Sequence, residues 1–222
     1  MSTDGDAVLD LARSRIAAEA AGVAAVGAGL DDSFITAARL IYGCAGKLFV
    51  SGSGTSGTIA RRMAHLFAVS GTPAIFLPAM DALHGTLGVV TEGDLVIVIS
   101  KGGGSAEIND LVTRSQDRGA GVIAIACKRD TPLTERADLT LIAGDDESVD
   151  LGGMIAMGST LAHAVLGDAL ATVLMHARGY SWAHVHHTHP GGAVGARTEL
   201  PEAVSGVALE PLPLAEYRAG KR

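Results

Sequence analysis

Aromatic side chains are scarce in this sequence: Phe, Tyr and Trp make up 4% of its 222 residues. Charge is sparse too, at 18%, and leans acidic, with a formal net charge of -7. Nucleic acid is held by basic grooves and stacking rings, so both scarcities argue against it as a partner. Cysteine occurs twice, as Cys44 and Cys127, each in an apolar or glycine-rich setting. Two isolated cysteines in a chain of this size read as reduced, buried thiols of a cytoplasmic protein. No uncharged apolar run reaches the ~18 residues of a membrane span. The opening Met1-Ser-Thr-Asp-Gly-Asp has neither the basic nor the apolar stretch of a secretion signal. The expectation is a soluble, cytoplasmic protein with no membrane partner.

What the sequence does have is 48% hydrophobic residues, rich in Ala, Val, Leu and Gly, enough for one well-packed domain. Over residues 6–42 apolar side chains recur at helical spacing, as in Val8, Leu9, Ala12 and Ile16, then Phe34, Ile35, Ala38 and Ile41. Gly27, Gly29 and Asp31 interrupt them, which predicts two helices with a break near 27–32. Short apolar runs follow at 47–51, 73–77, 94–100, 121–126 and 139–142, with helical patterns between them. The third, Asp94-Leu-Val-Ile-Val-Ile-Ser100, is apolar throughout, as a parallel strand buried on both faces requires. Alternating strands and helices predict an α/β fold, a doubly wound five-stranded parallel sheet flanked by helices. A long helix is expected from about Met154 to Arg178, capped by Gly179. Three regions result: N-terminal helices (1–45) packing on the core and forming an oligomer interface, the core itself (46–198), and a peripheral tail (199–222).

Ligands of such sheets sit beyond the carboxyl ends of the strands. Two loops there carry chemistry. Ser51-Gly52-Ser53-Gly54-Thr55-Ser56-Gly57 sets hydroxyls and close-approaching amides at a helix start, and Ser100-Lys101-Gly102-Gly103-Gly104-Ser105 does so with a lysine added. Backbone amides and a helix dipole suit a phosphate, and hydroxyls donate to its oxygens. The first loop also fits Gly-x-Gly-x-x-Gly, but the second strand ends Phe76-Leu77-Pro78, without the acid that would bind a dinucleotide's ribose. His84 and His189 stand beside glycine or proline and suit proton transfer near neutral pH. His65 and His163, on apolar helical faces, read as packed or interfacial residues.

From Phe49 to Arg197 the chain resembles the sugar isomerase (SIS) domain family, a flavodoxin-like fold, and within it the arabinose-5-phosphate isomerases. The resemblance is carried by Gly52-Ser-Gly-Thr-Ser-Gly-x-Ile-Ala-Arg, Asp81-Ala-Leu-His84-Gly-x-Leu-Gly88, Gly167-Asp-Ala-Leu170 and His189-Pro-Gly-Gly-Ala-Val-Gly195-Ala-Arg197. It implies an aldose–ketose isomerase acting on a phosphorylated sugar through an enediol(ate), without cofactor or metal, and a homo-oligomer, a tetramer. It implies phosphate binding by the two loops, His84 and His189 as acid–base groups, and an acid in the loop of Glu147 as a base. Two departures stand inside the expected pocket: the branch has Lys at the position of Thr55, and Asn-Ser-Gly-Glu at Lys101-Gly-Gly-Gly104. The branch commonly carries a paired CBS module after this domain, and the sequence ends before one.

Three alternatives remain open from sequence. One is an isomerase for a different phosphorylated sugar. Another is a non-catalytic sugar-phosphate sensor, although no DNA-binding segment is attached. The third is a zinc site in His184-Val-His186-His187-Thr-His189.

Overall fold

The computed structural model describes residues 4–144 and 146–221. Helix α1 (Asp4–Ala28) and α2 (Asp32–Tyr42) come first, and then strand and helix alternate. In order these are β1 (Leu48–Gly52), α3 (Gly54–Val69), β2 (Ala74–Phe76), α4 (Ala79–Leu83), β3 (Leu95–Ile99), α5 (Ala106–Asp117), β4 (Gly121–Ala126), α6 (Pro132–Arg136) and β5 (Leu139–Ile142). The chain closes with α7 (Gly158–Ala177), α8 (Trp182–Thr188), α9 (Gly192–Gly195) and α10 (Leu214–Gly220). All five strands are parallel, in the order β2-β1-β3-β4-β5. The break between α1 and α2 falls where expected, because Asp31 caps α2 by accepting from the Ser33 amide at 2.9 Å.

Side chains alternate across the sheet, so each strand feeds two cores. On one face Val50, Ile97, Ile99, Ile123 and Ile125 pack with Met63, Phe67, Leu166, Leu170 and Leu174 of α3 and α7. On the other, Phe49, Val96, Val98 and Val122 meet Ile108, Leu111 and Val112 of α5 and Leu133 of α6. Helix α7 is long and apolar enough to cross a membrane by length and composition, but 67% of its apolar window is buried inside the protein. The cysteines form no disulfide; Cys127 is buried, whereas Cys44 is only half-buried.

Three details differ from the sequence reading. The long helix starts at Gly158 rather than near Met154, because the Asp150 carboxylate takes the Met157 and Ser159 amides at 2.7 and 3.0 Å. The histidine-rich stretch is helical, nucleated by Ser181, whose hydroxyl accepts from the His184 amide while the His184 ring faces the Ser181 amide and hydroxyl. The tail folds back on its own chain. The Leu212 amide donates to the Arg39 carbonyl, and Arg218 grips Asp138 at 2.7 and 2.8 Å.

Candidate active site

The strand order reverses direction at β1: β2 lies on one side of it, β3, β4 and β5 on the other. The carboxyl ends of β1 and β3 therefore flank the switch point, the crevice position at which open α/β sheets take their ligands. Gly52 pairs with Ile99, so the loops beginning at Ser51 and Ser100 start side by side, about 5 Å apart. Ser51 is fully buried with no partner for its hydroxyl, and Ser100 is buried beside it. Ser53 and Ser105 are the N-caps of α3 and α5, yet neither side chain bonds its own helix. An N-cap serine ordinarily satisfies an orphan amide; these two do not.

Both loops are held close by glycine. A side chain at Gly52 would meet the Ser56 carbonyl oxygen at 2.8 Å, so strand and helix approach as only glycine allows. Gly103 has φ +65° and lies against Thr131, the N-cap of α6, and its carbonyl accepts from the Asn109 side chain at 3.0 Å and the Leu133 amide at 3.2 Å. Thr55, Ser56, Gly102 and Gly104 complete the two loops; Thr55, Gly102 and Gly104 are exposed and Ser56 half-buried.

Lys101 faces away from the β1 loop. Its ammonium lies 2.6 Å from Asp150 and donates to the Gly153 carbonyl at 3.1 Å. Burial alone would raise the Asp150 carboxyl, but Lys101 and the donors of Ser159 and Met157 outweigh it and hold the group at about 2. Behind this pair His163 is fully buried, its Nε2 3.4 Å from the Cys127 sulfur and its Nδ1 unpartnered. Burial pushes His163 down to about 4, the Asp150 charge offsetting this only in part. Neutral and enclosed, it is the packed residue its helical face suggested, whereas His65 is exposed.

Glu147 lies beyond β5, exposed, with its carboxylate 2.8 Å from Lys128; the neighbouring ammonium holds it below the usual carboxylate range. Lys101, Lys128 and Glu147 line one small cavity of about 50 Å³ under α1, together with Cys127 and Ser159. His84 and His189 are elsewhere. His84 caps the C-terminus of α4, exposed, beyond edge strand β2. His189 caps α8, half-buried, its Nδ1 2.8 Å from the Val185 carbonyl oxygen. Strands β2 and β5 are opposite edges, four spacings or roughly 19 Å apart. Among the described residues no three His, Cys, Asp or Glu side chains gather as a metal site, the four histidines of 184–189 included. Sequence reasoning passed over Asp150 and Lys128; an acid directly before Leu151-Gly152-Gly153 was the available sign of the first.

The SIS domain profile matches residues 41–173, more than half of the chain. This chain belongs to the SIS domain family. The SIS chain is 34% identical over 192 residues to arabinose 5-phosphate isomerase GutQ of Salmonella typhi, covering 86% of this chain and 60% of that one. It is 37% identical over 171 residues to arabinose 5-phosphate isomerase KdsD of Escherichia coli K12, covering 77% and 52%. It thus spans little more than half the length of these curated relatives. An E. coli CFT073 protein solved in complex with arabinose 5-phosphate superposes with a TM-score of 0.81 at 29% identity, over 85% of this chain and all of the other. A candidate sugar-phosphate isomerase of Listeria monocytogenes gives the same score and coverages at 31% identity.

Proposed function

We propose that the SIS chain is a phosphosugar aldose–ketose isomerase of the arabinose 5-phosphate type. The observation that carries this is the pair of N-cap serines, Ser53 and Ser105, whose hydroxyls are withheld from their own helices on adjoining loops at the switch point. The phosphate is held by the hydroxyls of Ser53, Ser56, Ser100 and Ser105 and the amides of residues 52–55 and 102–104, with the buried Ser51 hydroxyl beneath them. Lys101 acts on this site indirectly, by tying its loop to Asp150. Similarity to GutQ and KdsD over most of the chain supports the reaction class.

The chemistry needs a base to take the proton next to the carbonyl and return it to the neighbouring carbon, and an acid at oxygen. His189 and His84 take these roles, since an imidazole can both accept and donate a proton and both stand in accessible segments. Glu147, held ionised by Lys128, is the weaker base and orients the sugar. Because Glu147 and His84 follow opposite sheet edges, the site is completed by a second copy of the chain in a homo-oligomer, a tetramer. The first half of α1 supports that assembly: Val8, Leu9, Leu11 and Ile16 are 67%, 51%, 72% and 66% exposed.

The test is a screen in heavy water of aldose and ketose phosphates of roughly three to seven carbons. Interconversion with solvent deuterium entering at the carbon next to the carbonyl is expected. Binding without exchange for every sugar would reject the isomerase reading.

A further inference from the structure

Two arginines stand next to each other on α3 and are treated differently by the fold. Arg62 is spent in a two-pronged pair with Asp168 of α7, at 2.7 and 3.0 Å. Arg61, about 100° further round the helix, lies on the face that carries Gly54, Gly57 and Thr58. Those positions are two, one and one turns towards the helix start and carry little side chain, so the long arginine can lie back along them. Its guanidinium is stacked 4.7 Å from the centre of the Phe76 ring. Stacking fixes the plane of the fork and leaves its N–H groups at the edge free to donate.

The space in front of Arg61 is a cavity of about 370 Å³ walled by Gly52, Ser53 and Gly54 on one side and Phe76 and Met80 on the other. Among the described residues no Asp or Glu lines it, so Arg61 meets no carboxylate there. The lining therefore brings together a guanidinium, the Ser53 hydroxyl that caps no amide of its helix, and the glycine-loop backbone, with no carboxylate among them. That is a receptor for a tetrahedral oxyanion. The other cation near the crevice, Lys101, is neutralised by Asp150 at 2.6 Å, and position 55 holds threonine.

We propose that Arg61 supplies positive charge to the phosphate of the ligand, reaching it from the β2 side of the β1 loop while the phosphate sits at the start of α3 with the Ser100–Ser105 loop on its other flank. The proposal rests on the phosphosugar reading and deepens it. It also explains how a pocket with Thr55 and a neutralised Lys101 still favours a dianion.

Calorimetric titration with inorganic phosphate and with arabinose 5-phosphate tests it on the wild-type protein, Arg61→Met, Arg61→Lys and Arg62→Met. Arg61→Met keeps a stem to pack on Phe76, and thermal unfolding checks that the fold is retained. Loss of a charge-assisted, two-pronged contact should weaken both ligands by about 10- to 100-fold. Arg61→Lys should recover only part, and Arg62→Met should bind as wild type. Equal phosphate affinity in wild type and Arg61→Met overturns the proposal, as does a wild-type protein that binds no phosphate. Arg61-dependent phosphate binding without any sugar interconversion leaves this inference standing and removes the isomerase reading instead.

Discussion

His189 sits at the end of a seven-residue helix, its Nδ1 turned to the Val185 carbonyl and its other nitrogen not committed to any bond among the described residues. A ring anchored through one nitrogen presents the other in a fixed direction, as a proton-transfer group must. Exchange of His189 for Asn keeps a side chain that can bond the Val185 carbonyl and removes the imidazole that would carry the proton. Turnover should fall by about 10²- to 10⁴-fold with ligand affinity and melting temperature unchanged. Retained turnover would reject the role. A second residue-scale prediction concerns acid. His163 is held at about 4 against an ordinary 6.5, so the unfolded chain binds the extra proton between those values. Stability is thus complete above about pH 6.5 and declines as the pH falls towards 4, by up to about 3 kcal/mol. Asp150, held at about 2 rather than 3.8, adds stability that is present above 3.8 and lost as the pH falls through 2. Urea unfolding from pH 4 to 8 should show the first decline in wild type and a flattened profile in His163→Leu.

At the scale of elements, α10 is a clasp rather than a free arm. Arg218 reaches both Asp138 oxygens and the Ala120 carbonyl, while Asp138 also accepts from the Val122 amide at 2.9 Å, so one carboxylate ties helix, strand β4 and strand β5 together. Arg218→Ala should cost about 1–3 kcal/mol in urea unfolding, the scale of hydrogen bonds to a charged group. A loss below about 0.5 kcal/mol, typical of an exposed pair, would show that the clasp is idle. The five strands were readable from sequence to within one or two residues, because fully buried runs such as Leu95–Ile99 tolerate no polar interruption. Both serine–glycine loops were readable for the same reason, being the abrupt ends of such runs. The short helices were not. Helix α8 has too few residues to show a period, and its cap pairs Ser181 with a histidine where glutamate or glutamine is the usual sign. The destination of Lys101 was hidden too, since Asp150 lies 49 positions away and only the folded chain brings the two together.

For the whole molecule, the bare apolar residues of α1 and the placing of His84 and Glu147 beyond opposite sheet edges lead to one expectation. Light scattering at micromolar concentration should give a homo-oligomer, and Val8→Asp with Leu11→Asp should shift it towards smaller species. Mixing His84→Asn with Glu147→Gln, each of reduced turnover, under subunit exchange should restore part of the turnover, because some sites then draw both intact residues. A monodisperse monomer, or no recovery after exchange, would sink the shared-site account.

The clasp made by α10 also fixes where the polypeptide leaves the body. Asp138, Ala120 and Gly121 are at the amino ends of β4 and β5, and Pro213 and Leu214 pack near Asp94 at the foot of β3. The carboxyl-terminal helix is therefore on the underside of the sheet, a full strand length from the serine–glycine loops. A biotin or fluorophore joined after α10 would tether the molecule to a sensor chip with its ligand mouth turned to the flowing solution. The same label on α1, which roofs the cavity holding Lys101 and Glu147, would sit on the working side and crowd it.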